Sequence, residues 1–138
     1  MPTTINKSNN FQDQKFYIGL DVHKKSWSVT VRTMGFEVAH FNQLPDAAQL
    51  AHYLKTRYPG NQFLSAYEAG FCGTSHHHAL CNAGIKNIIV HAADIPQTDK
   101  QKKNKTDLHD SRAIARYLET GLLNDILRPR RVTASATK

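Results

Sequence analysis

The chain has 138 residues, enough for one domain with a real core and too few for two ordinary ones. Hydrophobic residues make up 40%, and the formal net charge of +7 favours a polyanionic partner, of which nucleic acid is the commonest. No stretch approaches the roughly 20 consecutive apolar residues of a membrane span, and Met1 to Gln14 lacks the apolar centre of a signal peptide. Cys72 and Cys81 lie nine apart in a segment read as helical, so they offer neither a disulfide framework nor the usual zinc spacing. A reduced, cytoplasmic chain with no membrane partner is the expectation.

Residues 1–15 are polar, without period, and too poor in apolar surface to offset the cost of ordering; they read as a flexible leader. Three runs rich in β-branched and aromatic residues follow, at 16–22, 26–33 and 36–43, with Met34-Gly35 suited to a tight turn between the second and third. They predict an antiparallel meander. Pro45-Asp46 opens a helix with apolar residues at Ala47, Leu50, Ala51 and Leu54, closed by Tyr58-Pro59-Gly60. Phe63 to Tyr67 reads as a fourth strand, Thr74 to Asn82 as a second helix stopped by Gly84, and Lys86 to His91 as a fifth strand. Strand, helix, strand, helix, strand argues for parallel strands joined to the meander by crossovers, and so for a mixed sheet. Residues 92–106 contain one large aliphatic residue, Ile95, and four lysines, and read as a mobile loop. A last helix is expected from about Asp107 to Glu119, and a basic tail from Arg128 to Lys138.

Phe16-Tyr17-Ile18-Gly19-Leu20-Asp21-Val22 is the most apolar strand, and it carries one carboxylate near its end. An ionised carboxylate in such a setting is costly unless a cation meets it. Glu68 stands at the end of the fourth strand, and Asp107 and Asp110 are three apart at the start of the last helix, in line with Ile114, Tyr117 and Leu118. Each has an ordinary alternative: a strand-end Glu is often only solvated, and Asp residues in a first turn favour the helix by capping and by the macrodipole. Asp21 is harder to explain that way, because it follows by two residues a glycine that lets another group approach the backbone. A phosphate-transfer site with two divalent ions about 4 Å apart needs several carboxylates converging from different elements, and these four meet that need.

Gly19-Leu20-Asp21-Val22-His23-Lys24, Tyr67-Glu68-Ala69-Gly70-Phe71-Cys72-Gly73 and Lys105-Thr106-Asp107-Leu108-His109-Asp110-Ser111-Arg112-Ala113-Ile114-Ala115 together resemble the N-terminal domain of the DEDD-type insertion-sequence transposases, the family of the Piv pilin-gene invertase. The resemblance spans residues 16–127. It implies an α/β domain of ribonuclease-H-like, RuvC-like fold, a mixed five-stranded sheet with flanking helices, and metal-dependent transposase or recombinase activity on insertion-sequence DNA. The implied tetrad is Asp21, Glu68, Asp107 and Asp110, both catalytic and metal-binding, with Mg2+ as cofactor and Mn2+ able to substitute. The implied partners are DNA and an element-encoded structured RNA, with homo-oligomerisation left open. Ser111 departs from the family's usual Ala, a small change expected to be tolerated. The family also carries a C-terminal domain with a nucleophilic serine, beyond residues 128–138, so the resemblance implies that this chain is a fragment.

Lys100, Lys102, Lys103 and Lys105 lead directly into the Asp107 pair, where a phosphate backbone would have to lie, and with Lys24 and Arg112 they are the candidate nucleic-acid contacts; a solvated charged loop is the alternative. His76-His77-His78 point in three directions round a helix and cannot converge on one ion. Gly70 to Ser75 has the glycines and hydroxyls of a phosphate loop but lacks its lysine and spacing. Trp27 and Tyr17 read as core or strand-face residues. Competing functions are a stand-alone Holliday-junction resolvase or nuclease, a non-catalytic nucleic-acid-binding module, and an actin-like ATPase fold, the last disfavoured because His23, Lys24 and Lys25 follow the Asp where that fold needs small or hydroxyl residues.

Overall fold

The computed structural model describes residues 13–70, 74–91 and 111–126. Five strands and three helices lie among them: β1 (Lys15–Val22), β2 (Trp27–Thr33), β3 (Phe36–Gln43), α1 (Ala47–Arg57), β4 (Gln62–Glu68), α2 (Ser75–Asn82), β5 (Lys86–Val90) and α3 (Ser111–Thr120). The strands form one sheet in the order β3-β2-β1-β4-β5. β1, β2 and β3 pair antiparallel, as the meander reading expects, and β4 and β5 join parallel to β1 and to each other through the crossovers that carry α1 and α2. The result is an α/β architecture with a mixed five-stranded sheet and flanking helices.

Local chemistry sets these elements. The Met34-Gly35 turn has φ of 54° and 85°, the left-handed pair that matches the twist of a two-residue hairpin and that glycine adopts without strain. The Asp46 carboxylate accepts from the amides of Ala48 and Gln49 at 2.9 and 3.2 Å and so caps α1. α2 has no side-chain cap of its own at Thr74; instead the buried Tyr67 hydroxyl of β4 accepts the His77 amide at 3.0 Å. The sequence predicts a last helix from about Asp107; residues 107–110 lie outside the described residues, and α3 is described from Ser111.

The period of two along β1 divides the molecule into layers. Phe16, Ile18 and Leu20 face one side, where they pack with Trp27, Val29 and Val31 of β2 against Leu50 and Leu54 of α1 and Leu80 of α2. Tyr17, Gly19 and Asp21 face the other, where Leu64, Ala66, Ile88 and Val90 meet Ile114 and Leu118 of α3. Full burial of each such aliphatic side chain contributes roughly 1.5–3 kcal/mol, so Ile114 and Leu118 anchor α3 to this face. Trp27 is a fully buried core residue, as expected.

α3 runs opposite to β1. Its first residue, Ser111, reaches Ser28, whose register partner is Asp21, while Glu119 near its end reaches Arg32, whose register partner is Tyr17. The helix therefore starts over the carboxyl end of β1. It can lie so close because β1 has no side chain at Gly19, where a Cβ would stand 2.5 Å from the Ala115 amide nitrogen and nearer still to the Ser111 carbonyl oxygen.

Candidate carboxylate site

Glu68 ends β4, and Asp21 lies one residue before the end of β1, its parallel neighbour. The register Leu20↔Tyr67, taken one residue further, sets Asp21 beside Glu68, and both follow the alternation that directs Tyr17 and Gly19 of β1, and Leu64 and Ala66 of β4, toward the α3 face. Neighbouring strands are ~4.8 Å apart, so the two carboxylates are lateral neighbours at one end of the sheet. Like charges so placed repel, which a shared cation relieves. Asp21 is partly covered, with 33% of its side chain exposed, and the exposed His23 ring sets Nε2 3.2 Å from its Oδ1. Glu68 is half-buried and opposes Val90 across β5.

Asp107 and Asp110 lie outside the described residues, as do Lys100, Lys102, Lys103 and Lys105. Of the remaining candidates, Lys24 is exposed in the turn between β1 and β2, the same end of the sheet as Asp21. Arg112 is also exposed, but its Nε donates to Glu37 Oε1 of β3 at 3.0 Å, which gives it a partner within the chain. Among the described residues, no three or more His, Cys, Asp or Glu side chains gather where a metal ion could sit, and none of the helices is long and apolar enough to cross a membrane.

The structure adds polar groups to this end of the sheet that the sequence did not join to the site. Ser111 Oγ is 3.0 Å from Ser28 Oγ and 2.7 Å from Thr30 Oγ1, which is in turn 2.7 Å from His40 Nδ1. Ser111 and Thr30 are fully buried. The available signal was the alternation of Ser28 and Thr30 with Val29 and Val31, which marks a hydroxyl-bearing face of β2; nothing in the sequence says that Ser111 meets it. Ser111 thus has two hydroxyl partners on β2. At the far end of α3, Glu119 accepts from Arg32 Nε at 2.8 Å and from the Gly35 amide at 2.8 Å, a half-buried ion pair that ties the helix to the hairpin.

Of the three histidines of α2, expected to point in three directions, His76 turns away from the other two, whose rings meet edge-on with centroids 5.3 Å apart. His76 packs edge-on to Trp27 and Tyr67, with ring centroids at 5.1 and 6.2 Å; His77 Nδ1 accepts from Asn87 Nδ2 at 2.9 Å, and its Nε2 is 3.9 Å from the exposed Cys81 thiol. Cys72 lies outside the described residues. Burial holds His76 below its ordinary 6.5, so it folds neutral. Between its native value and 6.5 the unfolded chain binds the extra proton, so its contribution is intact above pH 6.5 and is lost as pH falls through the native value. Urea midpoints at pH 7.5 and 5.5 are expected to differ more for the native chain than for His76→Gln; equal differences would show that His76 is not a source of the acid sensitivity.

No family model matches the chain. Over 110 residues it is 27% identical to the transposase for insertion sequence element IS1533 of Leptospira borgpetersenii, a match that covers 78% of this chain and 32% of that protein. The chain thus spans about a third of that relative's length. This likeness supports a transposase-related family: over most of its length, the chain is similar to part of an insertion-sequence transposase.

Proposed function

We propose that this chain is the metal-dependent, DNA-processing domain of an insertion-sequence transposase of the DEDD type, with a ribonuclease-H-like, RuvC-like fold. The observation that carries the reading is the placement of Asp21 and Glu68 as lateral neighbours at the carboxyl ends of β1 and β4, under the start of α3. The strand order β3-β2-β1-β4-β5 is compatible with that fold, and the likeness to a transposase supports the choice of substrate class.

The donor set fits a hard divalent cation. Carboxylate oxygens suit Mg2+ and Mn2+, and two of them side by side on one face supply paired negative charge on rigid strands. In this reading Asp107 and Asp110, which precede Ser111 in the chain, complete the set begun by Asp21 and Glu68. These carboxylates would hold the ion, which would supply Lewis-acid polarisation of a phosphoryl oxygen. The chain's own residues hold and orient: Asp21 and Glu68 fix the ligand positions, and the Lys100–Lys105 segment and Lys24 bind the DNA phosphates. DNA is the partner in this reading, and a structured RNA is a further one that rests on the family resemblance.

Calorimetric titration with Mn2+ tests the assignment. The native chain is expected to bind, and Asp21→Asn and Glu68→Gln each to weaken binding by more than about 100-fold, since loss of a direct ligand should exceed the 10–100-fold typical of outer-shell partners. Native-like affinity in Asp21→Asn would overturn the reading.

A further inference from the structure

Resting on that reading, we propose that the buried hydroxyls of Thr30 and Ser111, with the half-buried hydroxyl of Ser28, form a positioning lock that fixes the first turn of α3 over the carboxylate site. The contacts of α3 with the sheet are of two kinds. Ile114 and Leu118 hold it by apolar burial, which is non-directional and permits small shifts of the helix over its bed. The Arg32–Glu119 pair fixes the far end, ~12 Å from Ser111 along the axis at 1.5 Å per residue, and leaves the near end able to swing. At the near end the Arg112–Glu37 pair is largely exposed and joins two long side chains, so it restrains the helix start only loosely, and short buried bonds are needed to stop that swing. Ser111 Oγ makes two, at 3.0 Å to Ser28 and 2.7 Å to Thr30, and the second partner is buried with it.

The proton count closes. Each hydroxyl has one proton to give, and the chain Ser28, Ser111, Thr30, His40 Nδ1 is satisfied in either direction with no two donors facing one another. The lock also spans the right residues. Ser28 is the register partner of Asp21, and Ser111 follows Asp110 in the chain, so one hydroxyl pair bridges the strand beside one proposed ligand and the residue after another. Metal ligands must be held to within about 0.5 Å, a tolerance that a swinging helix start would exceed.

Thr30→Val keeps the shape of the side chain and deletes the bonds to Ser111 and His40; Thr30→Ser keeps the hydroxyl. Mn2+ calorimetry and urea denaturation on residues 1–138 separate the roles. Thr30→Val is expected to remain folded, held by the ion pair and the apolar contacts, yet to bind Mn2+ at least about ten-fold more weakly, the lower end for an outer-shell partner. Thr30→Ser is expected to stay within about two-fold of native on the same scale. Should Thr30→Val not fold, Ser28→Ala, which deletes the other bond to Ser111, carries the same expectation. Native affinity in the valine or alanine variant, or an equal loss in Thr30→Ser, overturns the lock while leaving Asp21 as a ligand. Failure of the native chain to bind Mn2+, or native affinity in Asp21→Asn, overturns both proposals.

Discussion

Gly19→Ala is expected to destabilise the domain by about 3 kcal/mol or more, toward or beyond the upper end of overpacking costs. The added Cβ would meet backbone on the helix side: the Ala115 amide nitrogen at 2.5 Å, the Ala115 Cβ at 3.0 Å, and the Ser111 carbonyl oxygen closer than either. A flexible side chain could move aside, but helix backbone moves only if α3 lifts as a body. Lifting breaks the Ser111 hydroxyl bonds and loosens the burial of Ile114 and Leu118. Alanine offers about 0.5–1 kcal/mol in return, by lowering the entropy of the unfolded chain, which the clash outweighs. Gly70→Ala is the control, because among the described residues a Cβ there meets only the Glu68 carbonyl oxygen, at 3.9 Å. Urea denaturation of the two variants should separate them clearly. A Gly19→Ala chain as stable as the native one would mean that α3 does not rest on β1.

That close approach shows what the sequence could and could not disclose. Gly19 two residues before Asp21, in an apolar strand, was a visible sign that something comes near the backbone, and the period of two around it assigned the faces of β1. Met34-Gly35 and Asp46 were legible for the same reason: a turn and a cap are made by neighbours in the chain. The identity of the approaching element was not legible. Ser111 and Thr30 are 81 residues apart, and Arg32 and Glu119 are 87 apart, and no local propensity encodes such pairings. The 3,4 spacing correctly buried Ile114 and Leu118, yet it left out Ser111 and Ala115, whose place against the sheet follows from the missing side chain at Gly19. Arg112 read as a free cation for phosphate because Glu37, its partner, lies on the edge strand 75 residues away. The paired strand ends of Asp21 and Glu68 were anticipated as strand ends; their adjacency needed the order β1-β4, which only the sheet supplies.

Replacing Lys100, Lys102, Lys103 and Lys105 together by alanine is expected to weaken DNA binding on the order of 10³-fold near 0.15 M salt if all four contact phosphate, with the slope of log K against log salt falling by about 3.6. These residues lie outside the described part of the chain, so the expectation rests on their density and on the carboxylates that follow them. Phosphate contacts carry no base information, so the loss should be the same for unrelated DNA sequences. Changing the net charge from +7 to +3, by subtraction of four lysines, would also weaken attraction generally, and a control has to remove charge elsewhere. Lys15 and Lys86 serve, since both are exposed and begin β1 and β5, at the end of the parallel strands opposite Asp21. Their replacement by alanine is expected to leave the slope nearly unchanged. If the two sets of variants shift the slope equally per charge, the lysine run is a solvated segment and DNA has no preferred path to the carboxylates. If only the first set moves it, the strand is bound beside Asp107, and the phosphate reaches the end of the sheet where Asp21 and Glu68 stand together.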